Sequence, residues 1–246
     1  MADELKTILI EGTKAIGVDL TDDNTCDLIT FAEMLREKNK VMNLTNIVDD
    51  EGIAIRHFVD SLTLIKYLRG EQKKQKKENL ALIDVGTGAG FPGIPLKITM
   101  PEIDLTLMDS LQKRLNFLEE VAGELKFDSY CTLHARAEDA GRDKSYREKY
   151  DIATARAVAS LPVLCEYCLP FVRVGGTFIA MKGHSEEEVA ASSKAVAVLG
   201  GKIEKIDEFV LPGTDMARSI VVVRKTKPTP PRYPRQAGKP TKNPIA

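Results

Sequence analysis

The chain has 246 residues, 43% of them hydrophobic and 29% charged, with a formal net charge of −1. A near-neutral balance excludes whole-surface attraction to nucleic acid, so any such attraction must be local. No apolar run approaches the roughly 18 residues that a membrane span needs. Residues 1–20 carry Asp3, Glu4, Lys6, Glu11 and Lys14 where a secretory leader would be apolar. A cytoplasmic protein with reduced thiols is expected.

Leu5, Ile8, Leu9 and Ile16 form a helical stripe over residues 3–17. Thr21 to Asp23 supplies N-cap chemistry for a second helix, whose apolar face is Leu28, Phe31, Ala32 and Leu35. It ends near Lys38 to Lys40, and residues 41–46 form a connector. A third helix follows Asp49 and Asp50, with Ile55, Phe58, Val59, Leu62 and Ile65 on one face. Its other side carries His57, Asp60 and Ser61, which is either a solvated face or the edge of a substrate cleft. Arg56 and Asp60 are spaced as an i, i+4 ion pair. Residues 70–78 are polar and lysine-rich and read as a linker. Residues 1–78 are therefore expected to be a helical cap and linker.

Leu80 to Val85 is a short aliphatic run, as a buried parallel strand should be. Gly86, Gly88, Gly90 and Gly93 follow closely, and Ile94, Leu96 and Ile98 begin a helix. Strand, glycine loop and helix is the layout that receives a nucleotide-like ligand in open α/β sheets. The dinucleotide fingerprint fails because Phe91 occupies its last glycine position. The spacing from Asp84 is acid-x-G-x-G-x-G instead. That pattern resembles the S-adenosylmethionine loop of class I methyltransferases.

Residues 103–109 form a second strand that ends at Asp109, 23 positions after Gly86. An acid at about that distance accepts hydrogen bonds from ribose hydroxyls in these folds. Ser110 is placed to cap the next helix. A third strand, residues 130–134, leads to Ala137 and Glu138. A fourth, residues 150–155, ends at Arg156. Residues 161–172 read as a helix, residues 177–183 as a fifth strand with Lys182 near its C-terminal end, and residues 186–199 as a helix. Residues 203–211 and 219–223 close the sheet. Alternating strands and helices predict a mostly parallel, doubly wound, Rossmann-like α/β domain over residues 79–224.

Cys165 and Cys168 form a CxxC without a second pair, and His57, His134 and His184 are scattered. The cysteines sit in an apolar stretch, so they read as small core residues and no metal is expected. Residues 225–246 are rich in proline and basic residues and contain no acid. An extended, phosphate-seeking arm is the expectation, with Arg232 and Arg235 among its contacts.

Together these residues resemble one family, the bacterial small-subunit (16S) ribosomal RNA guanine-N7 methyltransferases, also called the glucose-inhibited division protein B family. The resemblance rests on Asn43 to Thr45, Arg56 to Leu62, Asp84 to Leu96, Arg136 to Glu138, Ala155 to Ala157 and the tail Tyr233 to Pro240. It implies a class I methyltransferase with S-adenosylmethionine as cofactor. The cofactor contacts it implies, with those read from the loop and strand ends, are Gly86, Thr87, Gly88, Phe91, Asp109, Ala137, Glu138 and Arg156. Asn43, Arg56, His57 and Lys182 join Arg232 and Arg235 as candidate RNA contacts. The implied partner is ribosomal RNA or the small subunit, and the chain is expected to act as a monomer.

Methylation at guanine N7 uses an in-plane lone pair and removes no proton. It needs no general base, covalent nucleophile or metal, so no catalytic residue is assigned and positioning does the work. A small-molecule methyltransferase of the same fold is the nearest alternative, opposed by the basic tail and the helical cap. A non-catalytic nucleotide-binding regulatory module is the other.

Overall fold

β1 (Ala81–Val85) is the third strand of a seven-stranded sheet in the computed structural model, which describes residues 2–183 and 186–245. His184 lies outside the described residues. The strands run in the order β3-β2-β1-β4-β5-β7-β6. β2 (Asp104–Asp109), β3 (Tyr130–His134), β4 (Tyr150–Arg156) and β5 (Val172–Lys182) are all parallel to β1. β7 (Ala217–Lys225) is antiparallel to both β5 and β6 (Gly201–Val210). The chain leaves β1 toward β2 and later returns to β1's other edge as β4. The strand order therefore reverses between β1 and β4, which opens a crevice beyond their carboxyl ends.

Alternate residues of β1 serve different faces. Leu82 faces a core shared with the N-terminal helices α1 (Ala2–Ala15) and α2 (Asp22–Met42). Ile83 and Val85 face a second core, built with α8 (Leu161–Cys168) and α9 (Glu186–Val198). Cys165 and Cys168 are fully buried in that second core, and burial pushes the Cys165 thiol up to about 12. The cap is continuous with the first core: Phe31 of α2 packs on both Phe91 and Phe117, with centroids 5.3 and 6.5 Å apart. Burying one such ring contributes about 1.5–3 kcal/mol.

Several elements depart from the sequence reading. Thr21 does cap α2, its hydroxyl accepting from the Asn24 amide, and Asn24 returns a bond to the Thr21 amide. The third helix is π-helical over Gly52–Val59 before one α-turn, α3 (Asp60–Leu62). The expected linker is largely helix: α4 runs from Ile65 to Gln75. Its Lys, Gln and Glu residues are good helix formers, and Glu71 is buried against Arg224. Ser110 caps nothing. Asp109 accepts the Leu111 amide at 2.9 Å and so leads into α6 (Gln112–Glu124).

The tail is the largest correction. It is not an extended arm but is docked on the second core. Lys225 is completely buried, with its ammonium donating to the carbonyls of Leu169 and Val172 and to the Thr229 hydroxyl. Arg235 grips Glu166 through Nε and Nη2 and through its own amide. Arg147 donates to the carbonyls of Tyr233 and Thr229. Ile245 ends the chain's described part inside the core. Two of the tail's cations, Lys225 and Arg235, pair with acids far upstream, Glu148 and Glu166, which a local composition cannot reveal.

Candidate active site

The site is built around the turn after β1. Gly86 and Thr87 donate their amides to the Met108 carbonyl, both at 2.9 Å, which folds the loop over the end of β2. Gly86 has φ +75°, and a Cβ there would lie 2.9 Å from Val158. Gly88 has φ +60° and faces open space, the nearest atom to an added Cβ being the Gly86 carbonyl at 4.0 Å. Only glycine holds both positions without strain or obstruction.

Asp84 staples the loop. Its Oδ2 accepts from the Thr87 hydroxyl at 2.7 Å and from the Gly93 amide at 2.9 Å. Thr87 thus spends its hydroxyl proton on the loop. Asp84 is wholly buried, and Oδ1 has no hydrogen-bond partner among the described residues. Burial raises its pKa to about 6 against the opposing pull of Thr87 and Gly93.

Asp109 at the end of β2 is 3% exposed. Its Oδ2 accepts from the Gly88 amide at 3.0 Å and from Arg114 at 3.2 Å. Glu138 stands in the short helix α7 (Ala137–Ala140), 6% exposed, and accepts the Gly238 amide at 2.9 Å. These acids line one cleft. A cavity of about 440 Å³ holds Gly86, Thr87, Gly88, Phe91, Asp109 and Arg156. A neighbouring one of about 300 Å³ holds Ala137 and Glu138 and shares Gly86, Asp109, Ser110 and Val158 with the first. The eight residues expected to hold a cofactor are thus divided between two adjoining cavities, with Gly86 and Asp109 common to both.

Arg156 ends β4 and reaches back to the cap. It donates to the Arg56 carbonyl at 3.0 Å and to Asp60 Oδ2 at 3.1 Å. Arg218 of β7 takes Asp60 Oδ1, also at 3.1 Å. The expected Arg56–Asp60 pair is absent because π-helical winding carries i and i+4 off one line. Arg56 pairs with Asp49 instead, at 3.5 Å. His57, Asp60 and Ser61 are buried, so their stripe is not a solvated face.

His57 lies flat on Phe91 and faces Arg156 through Nδ1 at 3.4 Å. An arginine only donates, so Nδ1 accepts and Nε2 carries the proton toward Thr45 Oγ1, 3.0 Å away. Burial first, then Arg156 and Arg56, lower the His57 pKa to about 3.

A third cavity, of about 430 Å³, lies on the other side of Arg156, His57 and Ala157. Arg56, Lys182 and Arg218 line it together with Ile47, Met181 and Met216. Lys182 is held by the Ala159 carbonyl and Glu188, both at 2.9 Å. Asn43 is exposed and serves as the left-handed cap of α2, at φ +48°. Its neighbour Asn39 is the side chain that grips the connector, through both backbone groups of Thr45. Arg232 stacks on Tyr233, whereas Arg235 is committed to Glu166. Sequence reasoning missed Thr45 as the His57 partner and Arg218 as the second Asp60 partner. It also missed Tyr167, Gly238 and Thr241, which line the 300 Å³ cavity beside Glu138. Thr45 and Gly238, inside the stretches that carry the resemblance, left a signal; the others did not.

Five parallel strands and an antiparallel β7 inserted next to β5, with a glycine loop and acids at the strand ends, define a class I methyltransferase fold. A crystal structure of a 16S rRNA (adenine(1408)-N(1))-methyltransferase mutant from Catenulisporales acidiphilia shares this fold. Its TM-score is 0.53 at 14% identity, covering 65% of this chain and 92% of that one. TrmN from Thermus thermophilus gives 0.50 at 16% identity, over 67% and 48%. The chain matches the GidB family, described as rRNA small subunit methyltransferase G, over residues 24–219, and belongs to it. Ribosomal RNA small subunit methyltransferase G from Acetivibrio thermocellus is 54% identical over 242 residues, 98% of this chain and 97% of that one. The protein of the same name from Alkaliphilus oremlandii is 51% identical over 245 residues, 98% and 99% of the two.

Proposed function

We propose that the chain transfers a methyl group from S-adenosylmethionine to N7 of a guanine in small-subunit ribosomal RNA. One observation carries the reading. The loop-and-acid cleft shares Arg156, His57 and Ala157 with a cation-lined cavity, so two ligands can be held side by side around these residues.

The donor set fits the cofactor. Asp109 is a buried carboxylate suited to a ribose diol, and Glu138 can accept from an adenine amino group, with Ala137 beside it. Gly88 leaves free the volume that a side chain would fill. Phe91 and Arg156 close the opposite end. S-adenosylmethionine, when bound, supplies a methyl group activated on a sulfonium.

The chain's own task is positioning, worth up to about 7–11 kcal/mol of a barrier. Asp60 fixes Arg156 and Arg218, and Phe91 fixes the His57 ring. His57 remains neutral with Nδ1 turned to Arg156, so it is a spacer in the wall and not a proton acceptor for substrate. Guanine N7 has no proton to surrender, which suits a wall without a free base. Arg56 and Arg232 are the cations offered to RNA, since Lys182 is already held by Glu188; the site is assembled for a polynucleotide in the cytoplasm.

Incubating the protein with methyl-labelled cofactor and small-subunit rRNA, then mapping the product by mass spectrometry, tests this. A single 7-methylguanosine is expected. Label at another base atom, or none in RNA, refutes it.

A further inference from the structure

The docked tail also touches the cleft. Gly238 and Thr241 line the 300 Å³ cavity together with Asp109, Ala137 and Glu138. Gly238 donates its amide to Glu138 Oε1 across 100 positions of sequence. The Thr241 hydroxyl lies 2.9 Å from that of Tyr167, which lines the same cavity. We infer that the segment Gly238–Thr241 is a working wall of the nucleoside end of the cofactor site. By it, cofactor affinity depends on the tail being docked. The inference rests on the reading that S-adenosylmethionine occupies this cleft.

The docking is built rather than incidental. Glu166 and Tyr167 are adjacent on α8, and each holds the tail: Glu166 through Arg235, Tyr167 through Thr241. The Glu166 side chain is 1% exposed, so its charge depends on Arg235 for compensation. Arg142 adds a bond to the Pro234 carbonyl at 2.7 Å. These contacts fix the approach to Gly238, which has φ +80° and turns its amide onto Glu138.

The consequences are separate for the two wall residues. Gly238 is a positioning residue. A carboxylate has two acceptor oxygens, and the Gly238 amide occupies one, which fixes the plane of the group beside Ala137. Thr241 is a contact residue of the wall, held by Tyr167. Among the described residues, no tail residue lines the methionine end of the cleft, around Gly88 and Phe91. Tail loss should therefore weaken adenosine and S-adenosylmethionine by the same factor.

The test uses titration calorimetry on the full chain, on Thr241→Val, on Arg235→Ala and on a chain ending at Gln236. Adenosine and S-adenosylmethionine are the titrants. Removing the wall should weaken both about tenfold, with Arg235→Ala close behind and Thr241→Val smaller. Equal affinity in a truncated chain with an unchanged circular dichroism spectrum would overturn the wall. Should the truncated chain not fold, hydrogen exchange of the intact protein decides. Linkage requires the ligand to protect the tail if the tail helps bind it. S-adenosylmethionine should slow exchange of peptides spanning 236–242 at least about tenfold, and unchanged exchange in saturated protein overturns the inference. Failure of the intact chain to bind S-adenosylmethionine at all would instead refute the cofactor reading beneath it.

Discussion

The imidazole of His57 lies on the phenyl ring of Phe91, with centroids 4.3 Å apart and planes 14° from parallel. The Arg156 guanidinium stands 5.0 Å from the same ring. A cap residue, a loop residue and a strand-end residue thus form one stack between the two cavities. A neutral His57 is required for it, because a second cation beside Arg156 would be repelled.

That neutrality is measurable. The folded pKa of about 3 lies below the unfolded value of about 6.5. Between these values the unfolded chain binds the proton and the folded chain does not, so His57's contribution to stability is complete above pH 6.5. It is lost as pH falls toward 3. In urea titrations the stability advantage of wild type over His57→Gln should shrink by about 1.4 kcal/mol per pH unit below 6.5. A constant difference from pH 7 to 4.5 would mean that the ring titrates normally in the folded protein.

Asp84 has the opposite sign. Its folded pKa is raised to about 6, above the ordinary carboxylate value. Between about 4 and 6 the folded chain binds the proton and the unfolded chain does not. Wild-type stability from this group is therefore present at low pH and lost as pH rises. Asp84→Asn retains an acceptor for Thr87 and Gly93 and carries no charge. Its stability relative to wild type should increase across pH 4 to 6 and then level off. A relative stability that falls over this window would show that Oδ1 is better solvated than its burial implies.

Gly88 separates fold from ligand. A Cβ there meets no protein atom closer than 4.0 Å, and a side chain built on it enters the cleft. Asn tolerates positive φ, so Gly88→Asn fills the space with little backbone strain. Cofactor affinity should fall by at least about a hundredfold, or roughly 2.7 kcal/mol, while the melting temperature stays within a few degrees. Normal affinity in this variant would move the cofactor out of the cleft.

How much of this was legible depends on the range of the interaction. β1, the glycine loop and Asp109 could be read because aliphatic burial, glycine spacing and the acid's offset are local properties. The same holds for β3, whose five residues carry their own pattern. Arg218 meets Asp60 across 158 positions, and no local signal joins them. The tail misled for a related reason. Its prolines and cations are consistent with an arm until Glu148, Glu166 and Glu138 come to meet it. Residues 70–75 misled because a helix with one narrow buried edge looks like a polar linker.

Asp60 holds two arginines and is 4% exposed. Asp60→Ala strands the buried Arg156 without its counter-charge, which should cost about 3–5 kcal/mol. Arg218→Ala should cost less, because Asp60 then still pairs with Arg156. Denaturant midpoints of the two variants and of the double variant check this. Strict additivity would show that Asp60, Arg156 and Arg218 do not act as one network, since groups in one network couple.

The remaining question is which cations meet RNA. Counterion release ties each phosphate contact to about 0.7 of log–log salt slope on single strands and about 0.9 on duplex. Arg235 is already neutralised by a buried Glu166, so its charge is not available for release at a phosphate. Arg56 differs. Its side chain is 35% exposed at the mouth of the cation-lined cavity, and its Asp49 partner is 3.5 Å away and 59% exposed. So loose and exposed a pair contributes little and exchanges readily for a phosphate. Arg56→Gln should therefore lower the salt slope of rRNA binding by about 0.7–0.9. Arg235→Gln should leave the slope unchanged while it lowers the melting temperature, because it undoes the tail's docking. Measuring slope and melting temperature on both variants separates the roles. A slope that falls with Arg235→Gln and holds with Arg56→Gln would return the tail to RNA and remove the cavity mouth from the binding surface.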